Sequence, residues 1–241
     1  MNETFSLQVI ARISSDFTTK FGIPRQSGLV PSQTATIVFE PEFRDANALR
    51  GLDGYDYLWL IWGFSQNRRT EWSPMVKPPR LGGKTRMGVF ATRSPFRPNP
   101  LGLSSVHLNG MEAIRGKGTV LHVSGADLMD GTPIYDIKPY LSFTDSHADA
   151  KNGFAGEHFD TALSVVFPEQ WQALIPKEKQ AALIASLCQD PRPAYQDDPH
   201  AVYALEYAGF DVRFSVAADI LTVYEILPLT PENGEKPSRI K

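Results

Sequence analysis

Between Trp72 and Glu112 lie thirty-nine residues without one Asp or Glu, and in them stand Lys77, Arg80, Lys84, Arg86, Arg93 and Arg97. The stretch from Met75 to Ser105 reads MVKPPRLGGKTRMGVFATRSPFRPNPLGLSS, with a Pro-Pro pair, a Gly-Gly pair and three further X-Pro steps. Proline fixes φ and biases the preceding residue away from helix, so this segment cannot form a solvated helix face. Its arginines are presented from turns, and the planar guanidinium suits phosphates and base planes. Six cations without a counter-charge, in a chain of formal net charge -3, repel one another unless a partner neutralises them. The segment reads as an anion-binding site, and nucleic acid is the partner that suits it.

Strand patterns dominate the first part of the chain. Phe5–Ile13 alternates as FSLQVIARI, Thr34–Phe39 is TATIVF, and Tyr55–Phe64 is aromatic and β-branched. Met87–Ala91, Leu101–Leu108 and Thr119–Ser124 continue the series, and a short helix fits Pro41–Leu52. Without βαβ alternation, a doubly wound parallel sheet is excluded. The expected fold is mainly β: a small antiparallel, barrel-like domain over residues 1–145. A polar, Gly-rich linker or loop follows at 146–162. Residues 163–230 read as an α+β module: a strand at Leu163–Phe167, one helix from Pro168 to about Gln189, and strands at Tyr203–Glu206, Phe210–Val216 and Ile220–Leu227. Residues 231–241 read as a polar, disordered tail.

Absences narrow the chemistry. No GxGxxG, P-loop, GxSxG or HExxH motif is present. Gly82-Gly83-Lys84-Thr85 imitates a P-loop end but lacks the earlier glycine. The five histidines have no metal-ligand spacing, so no metal is expected. No apolar run reaches the roughly 18 residues of a membrane span. The N-terminus lacks a basic signal-peptide start, and the single Cys188 fits a reducing cytoplasm. Cys188, at apolar helical spacing, reads as a core residue. Pro24-Arg25-Gln26 with Gly28 reads by itself as a surface turn. Asp127 and Asp130 flank the turn of DLMDGTP; they suit either that turn or the hydroxyls of a ribose or a cationic amine.

Four ordered strings then carry a resemblance: FGIPRQSGLV (21–30), RLGGKTRMGVFATRSPFRPNPLGLS (80–104), DLMDGTPIYDIKPYL (127–141) and QDPRPAY (189–195). Together they resemble the TrmO-type tRNA methyltransferases, over roughly residues 5–228. The family resemblance implies a small β-barrel-like domain that binds S-adenosylmethionine without a Rossmann fingerprint, and a homodimer with the cofactor near the subunit interface. It implies methyl transfer to N6 of threonylcarbamoyl-adenosine beside the anticodon of threonine tRNAs. It places the cofactor against Pro24, Arg25, Gln26, Ser65, Gln66, Arg93, Leu103, Asp127, Leu128, Met129 and Asp130. Lys77, Arg80, Lys84, Arg86, Arg97 and Tyr140 are candidates for the tRNA. Where relatives often place His before Gln, this chain has Ser65-Gln66, so no histidine base is carried over and the catalytic residue stays unassigned. The carbonyl of a carbamoylated adenine acidifies N6, which lessens the need for a strong base. Two other functions fit the same residues: a non-catalytic RNA-binding module, and a methyltransferase of small molecules.

Overall fold

The computed structural model of the 241-residue chain describes residues 3–66, 72–78, 81, 85–158, 162–192, 198 and 200–229. Arg80, Lys84, the Gly82-Gly83 pair and the tail at 230–241 lie outside the described residues.

Six antiparallel strands close on themselves as a ring. They are β1 (Ala11–Ser14), β2 (Thr34–Phe39), β3 (Tyr57–Gly63), β6 (Leu101–Ile114), β7 (Gly118–Ser124) and β8 (Pro133–Pro139), hydrogen-bonded around the ring in the order β1-β2-β7-β6-β3-β8. Two short strands, β4 (Met75–Val76) and β5 (Met87–Gly88), pair with each other apart from the ring. Period-two alternation turns Ala35, Ile37 and Phe39 of β2, Leu58, Leu60 and Trp62 of β3, and Ser104, Val106 and Leu108 of β6 to the interior, where they are buried. Seven-residue β3 runs between β6 and β8, with Trp62 opposite Gly102. A Cβ on Gly102 would lie 2.2 Å from the Trp62 ring, so glycine is what lets the indole settle across the strand pair.

A second sheet, in the order β10-β11-β12-β9, contains β9 (Ser164–Val166), β10 (Val202–Tyr207), β11 (Phe210–Ala217) and β12 (Ile220–Pro228). The helix α3 (Lys177–Cys188) places buried Leu183 and Leu187 in its core. That core also takes in Phe17 and Val30 from the loop between β1 and β2. Residues near the N-terminus thus belong to the hydrophobic centre of the C-terminal half, and Phe17 meets Tyr207 edge to face at 5.2 Å.

Four local expectations are corrected. Pro41–Leu52 is not one helix but three 3-10 turns, Pro41–Phe43, Ala46–Leu49 and Leu52–Gly54. The Asp45 carboxylate accepts from the Asn47 amide at 2.9 Å and so restarts the chain there. The helix expected from Pro168 is broken into α2 (Glu169–Gln172) and α3, because Pro176 stands between them with non-helical backbone, φ -51° and ψ 136°. The first strand is only Ala11–Ser14: Ile10 still bonds through its backbone to Ile134 and Glu40, but the alternation of residues 5–9 finds no ladder, and Phe5 is 86% exposed. Last, Pro133–Pro139 is a strand that closes the ring between β1 and β3, where a ligand motif alone was expected. Its two prolines stand at the strand ends, where no interior ladder bond is lost. The short helix α1 (Ser142–Asp145) follows it.

Candidate active site

Where β3 ends, its last residues meet three loops around a cavity of about 490 Å³. Trp62, Gly63, Phe64, Ser65 and Gln66 form one side; Lys20 and Ile23 come from the β1–β2 loop, Pro95 and Phe96 from the segment before β6, and Asp127, Met129 and Thr132 from the β7–β8 loop. The Trp62 and Phe64 rings lie 4.4 Å apart at 60°. Gly63 is required by close approach, since its Cβ would fall 2.5 Å from the Tyr135 hydroxyl. An apolar, aromatic wall with a few convergent polar groups is the usual form of a small-molecule site, and the volume lies in the usual range.

The polar group at its floor is Asp127. The Trp62 indole N–H donates to Ser104 Oγ at 2.9 Å, and Ser104 Oγ donates to Asp127 Oδ1 at 2.6 Å. Ser104 is buried inside the ring and would be costly unpaired; the relay satisfies it and aims one carboxylate lone pair. Burial raises the Asp127 pKa above 3.8, and the hydrogen bond from Ser104 and the Arg93 guanidinium partly offset this. One carboxylate oxygen is thus held by a neutral donor in a half-buried site. That suits acceptance of a hydroxyl or ammonium from a ligand.

Gln26 and Arg93 join to each other, and the Arg93 charge acts on Asp127. The Arg93 guanidinium donates to Gln26 Oε1, and the Gln26 amide donates to the Arg25 carbonyl. Arg25 itself turns away: its Nη2 donates to the carbonyls of Asp190 at 2.7 Å and Arg192 at 3.2 Å. The Asp190 carboxylate in turn grips the Arg192 guanidinium at 2.9 and 3.0 Å. The Asp190-Pro191-Arg192 turn therefore fastens the Pro24–Gln26 loop to the C-terminal half. Pro24 is buried.

The candidates separate into groups. Ser65, Gln66, Asp127 and Met129 line the cavity; Gln26 and Arg93 are joined to each other outside that lining, with the Arg93 charge acting on Asp127. Leu128 is buried in the ring core, and its carbonyl accepts from Ser15 Oγ at 2.9 Å. Asp130 has a turn role: its carboxylate accepts from the Ser15 amide at 3.0 Å, and its own amide donates to the Phe17 carbonyl at 2.8 Å. Leu103 is on the outer face of β6, opposite Ile61 and 55% exposed.

Among the basic candidates, Lys77, Arg86 and Arg93 are exposed, while Arg97 is half-buried with Nη1 3.4 Å from the Thr92 carbonyl. Tyr140 does not join them. Its amide donates to the Tyr57 carbonyl at the start of β3, and its ring sits 5.5 Å from that of Trp59, whereas the cavity is at the far end of the strand. Among the described residues no three His, Cys, Asp or Glu cluster as metal ligands, and no helix is long and apolar enough to cross a membrane.

Sequence reasoning overlooked Lys20, Ile23, Trp62, Phe64, Ser104 and Thr132. A signal existed for one of them. Ser104 occupies an inward position of an alternating strand, and an inward hydroxyl needs a buried partner.

The tRNA-methyltransferase O N-terminal domain matches residues 12–146, and the TrmO C-terminal domain matches residues 160–229. The tRNA (adenine(37)-N6)-methyltransferase of Escherichia coli is 39% identical over 234 residues, 93% of this chain and 99% of that protein. A Pseudomonas aeruginosa protein, provisionally named the S-adenosylmethionine-dependent methyltransferase RcsF, is 40% identical over 232 residues, covering 92% of this chain and 98% of its own. The crystal structure of TrmO from P. aeruginosa superposes with a TM-score of 0.76 at 34% identity, over 95% of this chain and 99% of that one. With both halves matched and the fold shared from end to end, the chain belongs to the TrmO family of tRNA methyltransferases.

Proposed function

We propose that this chain binds S-adenosylmethionine in the cavity at the end of β3 and methylates N6 of adenosine-37 in tRNA. Its substrate base is the threonylcarbamoyl-adenosine of threonine tRNAs, and the enzyme works as a cytoplasmic homodimer. The observation that carries this reading is the Trp62–Ser104–Asp127 relay at the floor of an aromatic cavity, bordered by an acid-free segment of exposed cations.

The residues present fit the cofactor. Trp62, Phe64 and Phe96 offer flat apolar surface for an adenine ring, and Asp127 offers the acceptor that ribose hydroxyls or an α-ammonium require. When bound, the cofactor supplies an electrophilic methyl group on a sulfonium centre. The chain's own residues orient and exclude water. The Trp62–Phe64 wall keeps solvent from one side, and the Gln26–Arg93 pair, whose charge acts on Asp127, faces the incoming base. No histidine lines the cavity among the described residues. With N6 acidified by its carbamoyl group, positioning supplies the catalysis and the released proton passes to water.

The homodimer has a face on which to form. Leu103 and Ile61, with the 86% exposed Phe143 and the half-exposed Tyr57, lie on the outside of the ring rather than in its core. Leu103→Glu should raise the dimer dissociation constant in sedimentation equilibrium; an unchanged constant would place the interface elsewhere.

The deciding experiment is transfer of labelled methyl from S-adenosylmethionine to threonine tRNA with and without the threonylcarbamoyl group. Transfer to the premodified tRNA alone is expected. Equal transfer to both would remove the modification from recognition. Binding of S-adenosylmethionine without transfer to either would defeat the tRNA reading and point to a small-molecule acceptor.

A further inference from the structure

Trp72 and Phe90 are large aromatic side chains exposed to solvent, at 51% and 73%. They are not scattered singly: their rings face one another with centroids 6.3 Å apart and planes 27° from parallel. Both flank the β4–β5 ladder, which the Val89 amide extends by donating to the Pro74 carbonyl at 3.0 Å. The exposed Lys77 and Arg86 adjoin the other end of that ladder, each one residue beyond it, and no carboxylate occurs from Ser73 to Met111. An exposed aromatic pair set among unmatched cations is the combination that binds single-stranded nucleic acid: rings stack on bases while cations hold phosphates.

From this surface we infer that Trp72 and Phe90 form a stacking platform for an unpaired nucleobase next to the target adenosine. The inference rests on the proposed tRNA substrate and extends it to residues that neither line the cavity nor bear charge. Position supports it. Pro95, in the cavity wall, follows Phe90 by five residues, a span of at most about 18 Å. The turn between them is fixed by the Ser94 amide on Thr92 Oγ1 and the Phe96 amide on Ser94 Oγ, both 3.2 Å. A base stacked on Phe90 and the target base presented to the cofactor are thus held at a set separation, as adjoining nucleotides of one loop require. Charge chooses RNA over a protein partner, because an apolar protein surface would leave Lys77 and Arg86 unneutralised.

The test uses the full-length protein and a 17-nucleotide threonine anticodon stem-loop, with binding read by fluorescence anisotropy and methyl transfer read separately. Base–aromatic stacking predicts that Trp72→Ala or Phe90→Ala weakens RNA binding by roughly five- to a hundredfold and raises KM for the RNA similarly. The S-adenosylmethionine dissociation constant should not move. Phe90→Tyr should restore RNA binding and Phe90→Leu should not, which separates stacking from bulk hydrophobicity. Equal binding by the Leu and Tyr variants, or unchanged binding by both Ala variants, overturns the platform. So does a change in sedimentation coefficient that accounts for the loss, since the pair would then face a second copy. If wild type transfers no methyl yet loses RNA on these substitutions, the platform stands and the proposed reaction falls.

Discussion

The floor of the cavity and the loop that borders it are built on opposite principles. At the floor, Trp62, Ser104 and Asp127 are locked by a relay of 2.9 and 2.6 Å hydrogen bonds, the first two on the paired strands β3 and β6 and the third in the β7–β8 loop. In the bordering loop, Lys77, Arg86 and Arg93 are exposed, and the prolines and glycines shape the backbone. A closed polar network specifies one geometry before any ligand arrives, whereas a surplus of one charge acquires its order from the partner. The first arrangement suits a small cofactor with fixed hydrogen-bonding groups. The second suits a polyanion.

The largest effect should come from breaking the floor. Trp62→Ala removes a buried aromatic and strips Ser104 of its donor, and should cost about 3–5 kcal/mol of stability in a urea titration. A loss below about 1 kcal/mol would mean that the relay is not what holds the end of β3.

Asp127→Asn comes next. It keeps the shape and removes the charge, so S-adenosylmethionine should bind at least about tenfold more weakly, the worth of a charged hydrogen bond. Its pH signature follows from the raised pKa. Asp127 is ionised only above a value higher than 3.8, so its contribution to cofactor binding fades as pH falls through that value. For stability the sign is reversed: between 3.8 and the raised value the folded chain holds more protons than the unfolded one, and this group's contribution declines as pH rises. The Asn variant should lack both slopes, and an unaltered acid limb in its binding profile would assign the titration to another group.

The Asp190–Arg192 turn supplies a sharper contrast, because it acts on the site from the C-terminal half. Arg25→Ala removes the bonds to the Asp190 and Arg192 carbonyls and frees the loop that carries Gln26. Cofactor affinity should fall about three- to tenfold, the value of one to two ordinary hydrogen bonds, with urea stability less affected than in Trp62→Ala. An unchanged affinity would reduce the C-terminal anchor to a purely structural one.

The smallest effect belongs to the loop. Arg86→Ala should lower the magnitude of the slope of log affinity for tRNA against log salt by about one, equally for all tRNA sequences. A slope that does not change would remove Arg86 from the phosphate contacts.

The sequence showed the ring's strands well where alternation and β-branching agreed, as in TATIVF and YLWLIWG. It showed them poorly where one rule hid another. Pro133–Pro139 is a strand disguised by its terminal prolines and by Asp136 and Lys138, and Pro41–Leu52 has a helical start that Asp45 and Gly51 cut into 3-10 turns. In the site, Asp127 and Asp130 were indistinguishable as residues of one turn. Only the fold divides them, because Ser104 reaches the first and the Ser15 amide reaches the second. Such partners, 23 and 115 positions away in sequence, leave no local trace. The role of QDPRPAY was equally illegible, since a turn at 190–192 shows its purpose only when Arg25 arrives from the other half of the molecule.

Parallel titrations of S-adenosylmethionine into wild type, Asp127→Asn and Arg86→Ala by calorimetry test the division of labour most directly. The account predicts at least about tenfold weaker binding for Asp127→Asn, and wild-type affinity for Arg86→Ala. Wild-type affinity for Asp127→Asn would contradict it, because the cofactor would then not be held at the floor where the relay points.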